Sequence, residues 1–180
     1  MRFLLRLGQR GKALDKALFG AIEQKDDVAV AAALKAGADP NARAELLDSQ
    51  DVTPLMLAAW QCVPTSIGLQ LLTAGAQVNS HNAGGTALHR AAWRGDLRMI
   101  ALLFKHGADV RAKDTSGQEP RIYALAEGHA KAQRLLDWLD SLTRLNLHGL
   151  SQVFLRSNVS LVAPGIDGVL GGMELPQGLR

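Results

Sequence analysis

The feature that most constrains the fold of this 180-residue chain is a sequence motif that recurs along it. Four segments align with one another, and three of them share an anchor glycine, at Gly37, Gly75 and Gly107. These glycines are 38 and 32 residues apart, and an insertion, "ARAELLDSQDV", accounts for most of the difference. Such a period predicts a repeat architecture in which each unit buries its apolar face against the next.

The residues of each unit predict a pair of short helices. Thr53 and Thr86 can cap the first helix of their units, and Pro54 follows where its missing N–H is not needed. Leu55 with Ala58 and Ala59 has the i, i+3, i+4 spacing of one helix face, and its small residues let neighbouring helices approach closely. In the first three units, a glycine after the second helix supplies the left-handed residue that terminates it. The sequence therefore predicts an all-α solenoid.

The repeated segments resemble the ankyrin repeats through "TPLMLAA", "TALHRAAWRGD", "GADPNA" and "LLFKHGADV". The resemblance covers residues 13–142 and implies an α-solenoid of about four helix-pair repeats with short projecting loops, the fingers. The outer units are expected to act as polar caps. The expected division is a basic arm at 1–12, repeats at about 13–47, 48–82, 83–115 and 116–142, and a Gly-rich apolar tail at 143–180. The tail either packs back on the last repeat or becomes ordered on a partner.

The sequence contains no pattern typical of catalysis or cofactor binding. The stretch "GLSQV" around Ser151 departs from a nucleophile elbow, and "GIDGVLGG" lacks the Lys–Ser/Thr of a phosphate loop. The five histidines do not have metal-ligand spacing, and the resemblance implies structural roles for His89 and His129. We therefore expect a non-enzymatic protein with no cofactor, no metal site and no small-molecule substrate.

The positive charge of the chain is concentrated at its start. The formal net charge is +3, and the first 16 residues hold five lysines and arginines against Asp15 alone. The remainder carries no basic excess, so a nucleic-acid partner is not expected. Arg6 interrupts the first apolar stretch, which is too short for a signal peptide or a membrane span, and the single Cys62 excludes an internal disulfide. These features predict a cytoplasmic protein that is a monomer or a heterodimer.

Two tryptophans follow the same pair of alanines, in "LMLAAWQC" and "ALHRAAWRGD". The ankyrin resemblance implies that the two positions after "AA" lie on the concave face, where partners bind. Trp60 and Trp93 would then lie side by side as anchors, because Trp and Arg are enriched at interface hot spots. The alternative is that both rings pack between repeats. The predicted partner-binding residues are Trp60, Gln61, Trp93, Arg94 and Glu127 on the concave face, and Leu46, Leu47, Asp48, His81, Asn82 and Lys113 on the fingers.

The insert "AELLDSQD" is expected to extend a finger tip towards a partner. The alternative is a short helical turn folded onto the edge of the groove.

The resemblance implies a protein–protein interaction module that covers a partner with a preformed groove. The first unit, with "LKAGADPNA", is similar to those of small bacterial ankyrin proteins, which include immunity proteins that neutralise a cognate toxin. Two other functions remain open. One is a structural or regulatory subunit that docks through its tail, and the other is RNA or membrane-surface binding through Arg2, Arg6, Arg10 and Lys12.

Overall fold

The computed structural model describes residues 6–7, 13–46 and 49–144. Most of the basic arm and nearly all of the tail therefore lie outside the described residues, as do Leu47 and Asp48. Within the described residues, eight α-helices form four consecutive pairs, which are units 1 to 4 in chain order. The pairs are α1 (Ala13–Glu23) with α2 (Asp27–Lys35), α3 (Pro54–Gln61) with α4 (Thr65–Thr73), α5 (Ala87–Trp93) with α6 (Leu97–Lys105), and α7 (Pro120–Ala126) with α8 (Ala130–Arg144).

The helices stack in two layers. The first helices of the units contact one another in the order α1, α3, α5, α7, and the second helices in the order α2, α4, α6, α8. A continuous core lies between the layers, in which Leu18, Leu55 and Leu88 occupy equivalent positions and are almost fully buried. Burial of each such side chain stabilises the fold by about 1.5–3 kcal/mol. The predicted all-α solenoid is confirmed.

The helix ends follow the local signals in the sequence. Thr53 accepts a hydrogen bond from the backbone N–H of Met56 at 3.3 Å, at the start of α3. The turns after the second helices have left-handed glycines, with φ of 98° at Gly37, 95° at Gly75 and 88° at Gly107. The predicted caps and helix ends are therefore confirmed at these positions.

Asparagine side chains join unit 1 to unit 2 and unit 2 to unit 3. Asn41 donates to the carbonyl of Gly75 at 3.0 Å and accepts from the backbone N–H of Gln77 at 2.7 Å. Asn79 makes the same two bonds one unit later, to Gly107 at 3.0 Å and from Asp109 at 2.9 Å. These bonds satisfy backbone groups at helix ends and fix the spacing of the units.

The insert forms a β-hairpin and not a helical turn. Strand β2 (Ala44–Leu46) pairs antiparallel with β3 (Ser49–Val52) and with a short β1 (Arg6–Leu7), in the sheet order β1-β2-β3. The helical alternative for this segment is wrong, because Ala44 and Val52 pair with each other and are only 2% and 4% exposed. Their burial attaches the base of the hairpin to the core. Only the backbone of Leu46 is described.

Unit 4 ends in a longer second helix. At 15 residues, α8 is longer than α2, α4 and α6, and it continues past the point where those helices end in a glycine turn. Asp137 and Ser141 on it are exposed, as expected for the second helix of a polar cap. Neither α8 nor any other helix within residues 13–46 and 49–144 is long and apolar enough to cross a membrane.

Candidate functional site

The two indoles that follow the repeated alanines are stacked on each other. Trp60 lies in the last turn of α3 and Trp93 ends α5. Their ring centroids are 4.4 Å apart, and the ring planes differ by only 6°. Both side chains are half-buried. Each ring therefore packs against the neighbouring repeat while part of it stays open to solvent, so the arrangement is compatible with packing and with binding.

Two arginines flank the tryptophan pair. The guanidinium carbon of Arg90 lies 5.4 Å from the ring centroid of Trp60, and that of Arg94 lies 5.7 Å from the centroid of Trp93. Distances below about 6 Å allow cation–π attraction, which is strongest with indole. The four side chains, Arg90, Trp60, Trp93 and Arg94, make up what we call the tryptophan cluster. Its parallel rings and fixed cations form a rigid surface feature.

Arg90 was missed in the sequence analysis. It occupies the position that Leu57 holds in unit 2, where the side chain is buried. Its guanidinium also donates to the Asn82 amide oxygen at 3.4 Å, and burial lowers its pKa from the ordinary value. A charged residue at an otherwise apolar position of the repeat is the signal that could have revealed it.

The turn after α3 contacts the tryptophan cluster through Cys62. The Arg94 Nε donates to the Cys62 thiol sulfur at 3.3 Å, and the Lys25 ammonium donates to the Cys62 carbonyl at 3.5 Å. Cys62 itself adopts the left-handed region, with φ of 47°. Arg94 is thus held between the Trp93 ring and the preceding unit. Gln61, next to Trp60, is half-buried.

Different residues take the tryptophan position in the outer units. In unit 1 it is Glu23, whose Oε1 is buried without a hydrogen-bond partner among the described residues. Burial raises the pKa of this carboxyl. In unit 4 the position is Ala126, followed by Glu127, and both are exposed. Of the four equivalent positions, only those in the two central units are therefore aromatic.

The finger residues differ in what they offer to a partner. His81 and Lys113 are exposed, so both stay predicted contacts. Asn82 is only 8% exposed, because its amide oxygen accepts from the backbone N–H of Gly84 at 3.0 Å and from Arg90. The prediction of Asn82 as an exposed finger contact is wrong, since this side chain holds the turn before α5.

The fingers are joined by a row of basic side chains. A guanidinium nitrogen of Arg43 donates to the His81 carbonyl at 3.4 Å, and the His81 Nε2 donates to the Lys113 carbonyl at 2.8 Å. Because a carbonyl can only accept, His81 carries its proton on Nε2. Each finger is thereby fixed to the next.

A buried polar network connects units 3 and 4. The Thr86 backbone N–H donates to the His89 Nδ1 at 3.1 Å, and the His89 Nε2 donates to the Gln118 carbonyl at 3.0 Å. Burial lowers the pKa of His89, and a proton on Nδ1 would also face the Thr86 N–H. The inter-repeat bond expected for His89 is present, whereas His129 packs its ring against Gly95.

Tyr123 completes this network. Its hydroxyl donates to Asp114 at 2.5 Å, and its ring meets the ring of His89 edge-on at 5.3 Å. Burial, followed by this hydrogen bond, raises the pKa of Tyr123 to about 12, and the same bond lowers the pKa of Asp114. These shifts follow from a structural contact between repeats. No group of three His, Cys, Asp or Glu side chains that could hold a metal ion occurs in the part of the chain that the structure describes.

Comparison with known proteins places the tryptophan cluster inside a recognised type of repeat. Residues 55–142 match the family model of ankyrin repeats, in three copies.

The chain is also similar to segments of larger proteins. It is 50% identical over 50 residues to potassium channel AKT3 of Oryza sativa subsp. japonica, which is 28% of this chain and 6% of the channel. It is 31% identical over 96 residues to the putative E3 ubiquitin-protein ligase XBAT35 of Arabidopsis thaliana, or 52% of this chain and 21% of the ligase. It is 40% identical over 72 residues to the ARF GTPase-activating protein GIT2 of Mus musculus, or 38% of this chain and 10% of that protein. The chain thus spans only a minor part of each of these relatives.

Proposed function

Because residues 55–142 are ankyrin repeats, which are a protein–protein interaction module and generally not enzymatic, we propose that this chain binds a protein partner through its concave surface. Trp60, Trp93 and Arg94 are the proposed anchors. The observation that carries the proposal is the tryptophan cluster, with two parallel, half-buried indoles 4.4 Å apart and a guanidinium near each ring.

The geometry of the cluster suits an anchor for physical reasons. Binding immobilises side chains, at about 0.5–1.5 kcal/mol for each one that is rich in rotamers. Here the stack and the bond from Arg94 to Cys62 restrict the side chains before any partner arrives. The rings therefore offer apolar area with little further loss of entropy. Gln61 and Glu127 on the same row, and His81 and Lys113 on the fingers, would supply polar contacts around it.

A finer proposal concerns what binding achieves. A rigid groove that covers part of a partner's surface blocks that surface sterically. We propose that this is how the chain acts as an immunity or inhibitor protein, and the similarity of its first unit to those of small bacterial ankyrin proteins supports this role. Co-expression with the captured partner tests it, because neutralisation predicts that cells survive a partner that is toxic when expressed alone.

The test of the binding site is a comparison of baits. Affinity capture from a lysate of the source organism uses the intact chain and a Trp60→Ala, Trp93→Ala variant. The captured protein is then purified and titrated against each variant. We expect the double substitution to weaken binding by about 2 kcal/mol or more, which is about thirtyfold in Kd.

Trp138 provides the matched control. It is also a half-buried tryptophan, but it lies on α8 and outside the cluster. Trp138→Ala should leave the Kd unchanged, and circular dichroism should show that all variants fold. Equal binding by the intact chain and the double variant would contradict the proposal. Binding that survives the double substitution but disappears at high salt would instead favour the basic residues Arg2, Arg6, Arg10 and Lys12.

A further inference from the structure

Unit 4 exposes a leucine where the two central units bury an alanine and unit 1 buries Ile22. Counted from the start of their helices, Ala59 in α3, Ala92 in α5 and Leu125 in α7 are equivalent. Both alanines are 0% exposed and lie on helices that contact the first helix of a following unit, whereas Leu125 is 56% exposed. A terminal unit of a solenoid needs a polar outer face. A large apolar side chain at this position therefore points to a further layer of protein on α7.

The row of basic finger residues is also incomplete at this end. Arg43 donates to the carbonyl of the next finger, and so does His81. Lys113 is the equivalent residue of the last finger, it is exposed, and its ammonium has no hydrogen-bond partner among residues 13–46 and 49–144. The row of finger contacts therefore stops at Lys113, at the same end of the stack as Leu125.

On the side of α8, unit 4 makes polar contacts of its own. At the position of Asn41 and Asn79 the last finger has Arg111, which donates to Asp140 of α8. Asp140 also accepts from Arg144 at 2.9 Å. Among the described residues of unit 4, the region with an exposed large apolar side chain is α7, next to the finger of Lys113. We call it the end surface, and it consists of Lys113, Ile122, Leu125 and Ala126.

We propose that the chain's own residues 145–180 cover the end surface. The segment starts at Arg144, which ends α8 and is fixed through Asp140 to Arg111, in the finger that precedes α7. The 36 residues beyond it exceed the 32-residue spacing from Gly75 to Gly107, so they suffice for one more unit-sized layer.

The composition of this segment fits a covering role. It begins with Leu145, Leu147 and Leu150, and it contains only Arg156, Asp167, Glu174 and Arg180 as charged side chains. Such a segment can bury apolar area against Leu125, which water otherwise contacts. The end surface is distinct from the tryptophan cluster, so the inference does not depend on the proposed function.

A photo-crosslinking experiment on the full-length chain tests the proposal directly. Benzoylphenylalanine replaces Leu125, and in a matched control it replaces Leu69, which is a 44% exposed leucine in the middle of α4. After irradiation, mass spectrometry locates the crosslinked residues. We expect crosslinks within one molecule from position 125 to residues 145–180, in a yield several-fold above that at position 69.

The other outcomes overturn the proposal. Crosslinks between two copies, with a yield that falls on dilution, would assign the end surface to self-association. A yield at position 125 no greater than that at position 69 would show that nothing covers Leu125.

A stability measurement on full-length variants provides the second readout. Leu125→Asp should increase the unfolding equilibrium constant at least about tenfold more than Leu69→Asp, because only a covered aspartate loses its hydration. Both leucines lie within helices and are similarly exposed among the described residues. An aspartate at position 125 also meets the negative end of the α7 dipole, but this raises the unfolding constant by at most about fivefold, which is less than the difference expected from the cover. Equal effects in urea denaturation would contradict the proposed cover.

Discussion

The contact between α3 and α5 and the contact between α5 and α7 join equivalent helices, yet they use different chemistry. Between α3 and α5 the specific contact is the stacked pair Trp60 and Trp93, at the end of the helices and half-open to solvent. Between α5 and α7 it is the polar network of His89, which is 0% exposed and lies in the first turn of its helix. Met56 takes the position of His89 in unit 2 and is equally buried.

The different chemistry of the two contacts suits them to different roles. A buried histidine with both ring nitrogens bonded fixes one arrangement of units 3 and 4, since any shift would leave buried polar groups unpaired. Stacked indoles at the rim fix units 2 and 3 while keeping a large apolar surface accessible. The contact between α5 and α7, which we call the polar junction, therefore serves stability. The contact between α3 and α5, which we call the aromatic junction, is suited to stability and recognition together.

The largest expected effect is that of Gly85→Ala, which disturbs the polar junction. A Cβ at Gly85 would lie 2.6 Å from the His89 ring, and φ there is 87°. We expect the free energy of unfolding to fall by about 3 kcal/mol, the sum of left-handed strain and overpacking. Urea denaturation measures this.

Gly107→Ala is the control, because φ is nearly the same there, at 88°, and a Cβ would have no neighbour within 4 Å. This variant should lose only the strain, about 1–2 kcal/mol. If both variants lost the same amount, the packing of His89 against Gly85 would contribute nothing to the junction.

His89→Met makes the polar junction resemble the one at Met56. It leaves the Gln118 carbonyl and the Thr86 N–H without their partner, and it should lower the free energy of unfolding by about 2 kcal/mol at pH 8. Thermal or urea denaturation at fixed pH gives the value. A variant as stable as the original chain would show that the hydrogen bonds are not needed.

The pH dependence of stability should differ between the original chain and His89→Met. Burial lowers the pKa of His89, so the folded state binds its proton less readily than the unfolded state. The stability of the original chain should therefore fall as the pH drops below about 6.5, the ordinary pKa of histidine. In His89→Met this part of the loss should be absent, which a series of urea denaturations from pH 8 to pH 5 would reveal. Parallel pH profiles would contradict the assignment to His89.

The aromatic junction should show a smaller coupling. In a double-mutant cycle of Trp60→Ala and Trp93→Ala, we expect the double variant to lose about 1 kcal/mol less than the sum of the separate losses, because each single substitution already removes the stack. The cycle of Trp60→Ala with Trp138→Ala is the control and should be additive. Additivity in the first cycle as well would mean that the stack contributes no specific attraction.

Much of this comparison could be predicted from sequence, but not all. The repeat alignment alone places Trp60 beside Trp93, because equivalent positions of a solenoid lie next to one another. It does not reveal that Arg90 lies beside the indoles or that Asn82 is buried, since both depend on how one turn packs against the next helix. The hairpin of β2 and β3 also depends on a contact distant in sequence, with Arg6 and Leu7.

The smallest effect concerns the turn that follows each first helix. At the polar junction this turn has Gly95, where an added Cβ would lie only 2.6 Å from the His129 ring. The aromatic junction has Cys62 there, in the left-handed region with φ of 47°. Cys62→Ala removes the sulfur that accepts from Arg94 but keeps the strain, and Cys62→Gly removes both. Relief of the strain exceeds the extra entropy of glycine in the unfolded chain, so we expect Cys62→Gly to be more stable than Cys62→Ala by about 0.5 kcal/mol. If Cys62→Ala were instead the more stable of the two in urea denaturation, the left-handed turn would not be a site of strain. The glycine at position 95 would then be required only by the ring of His129.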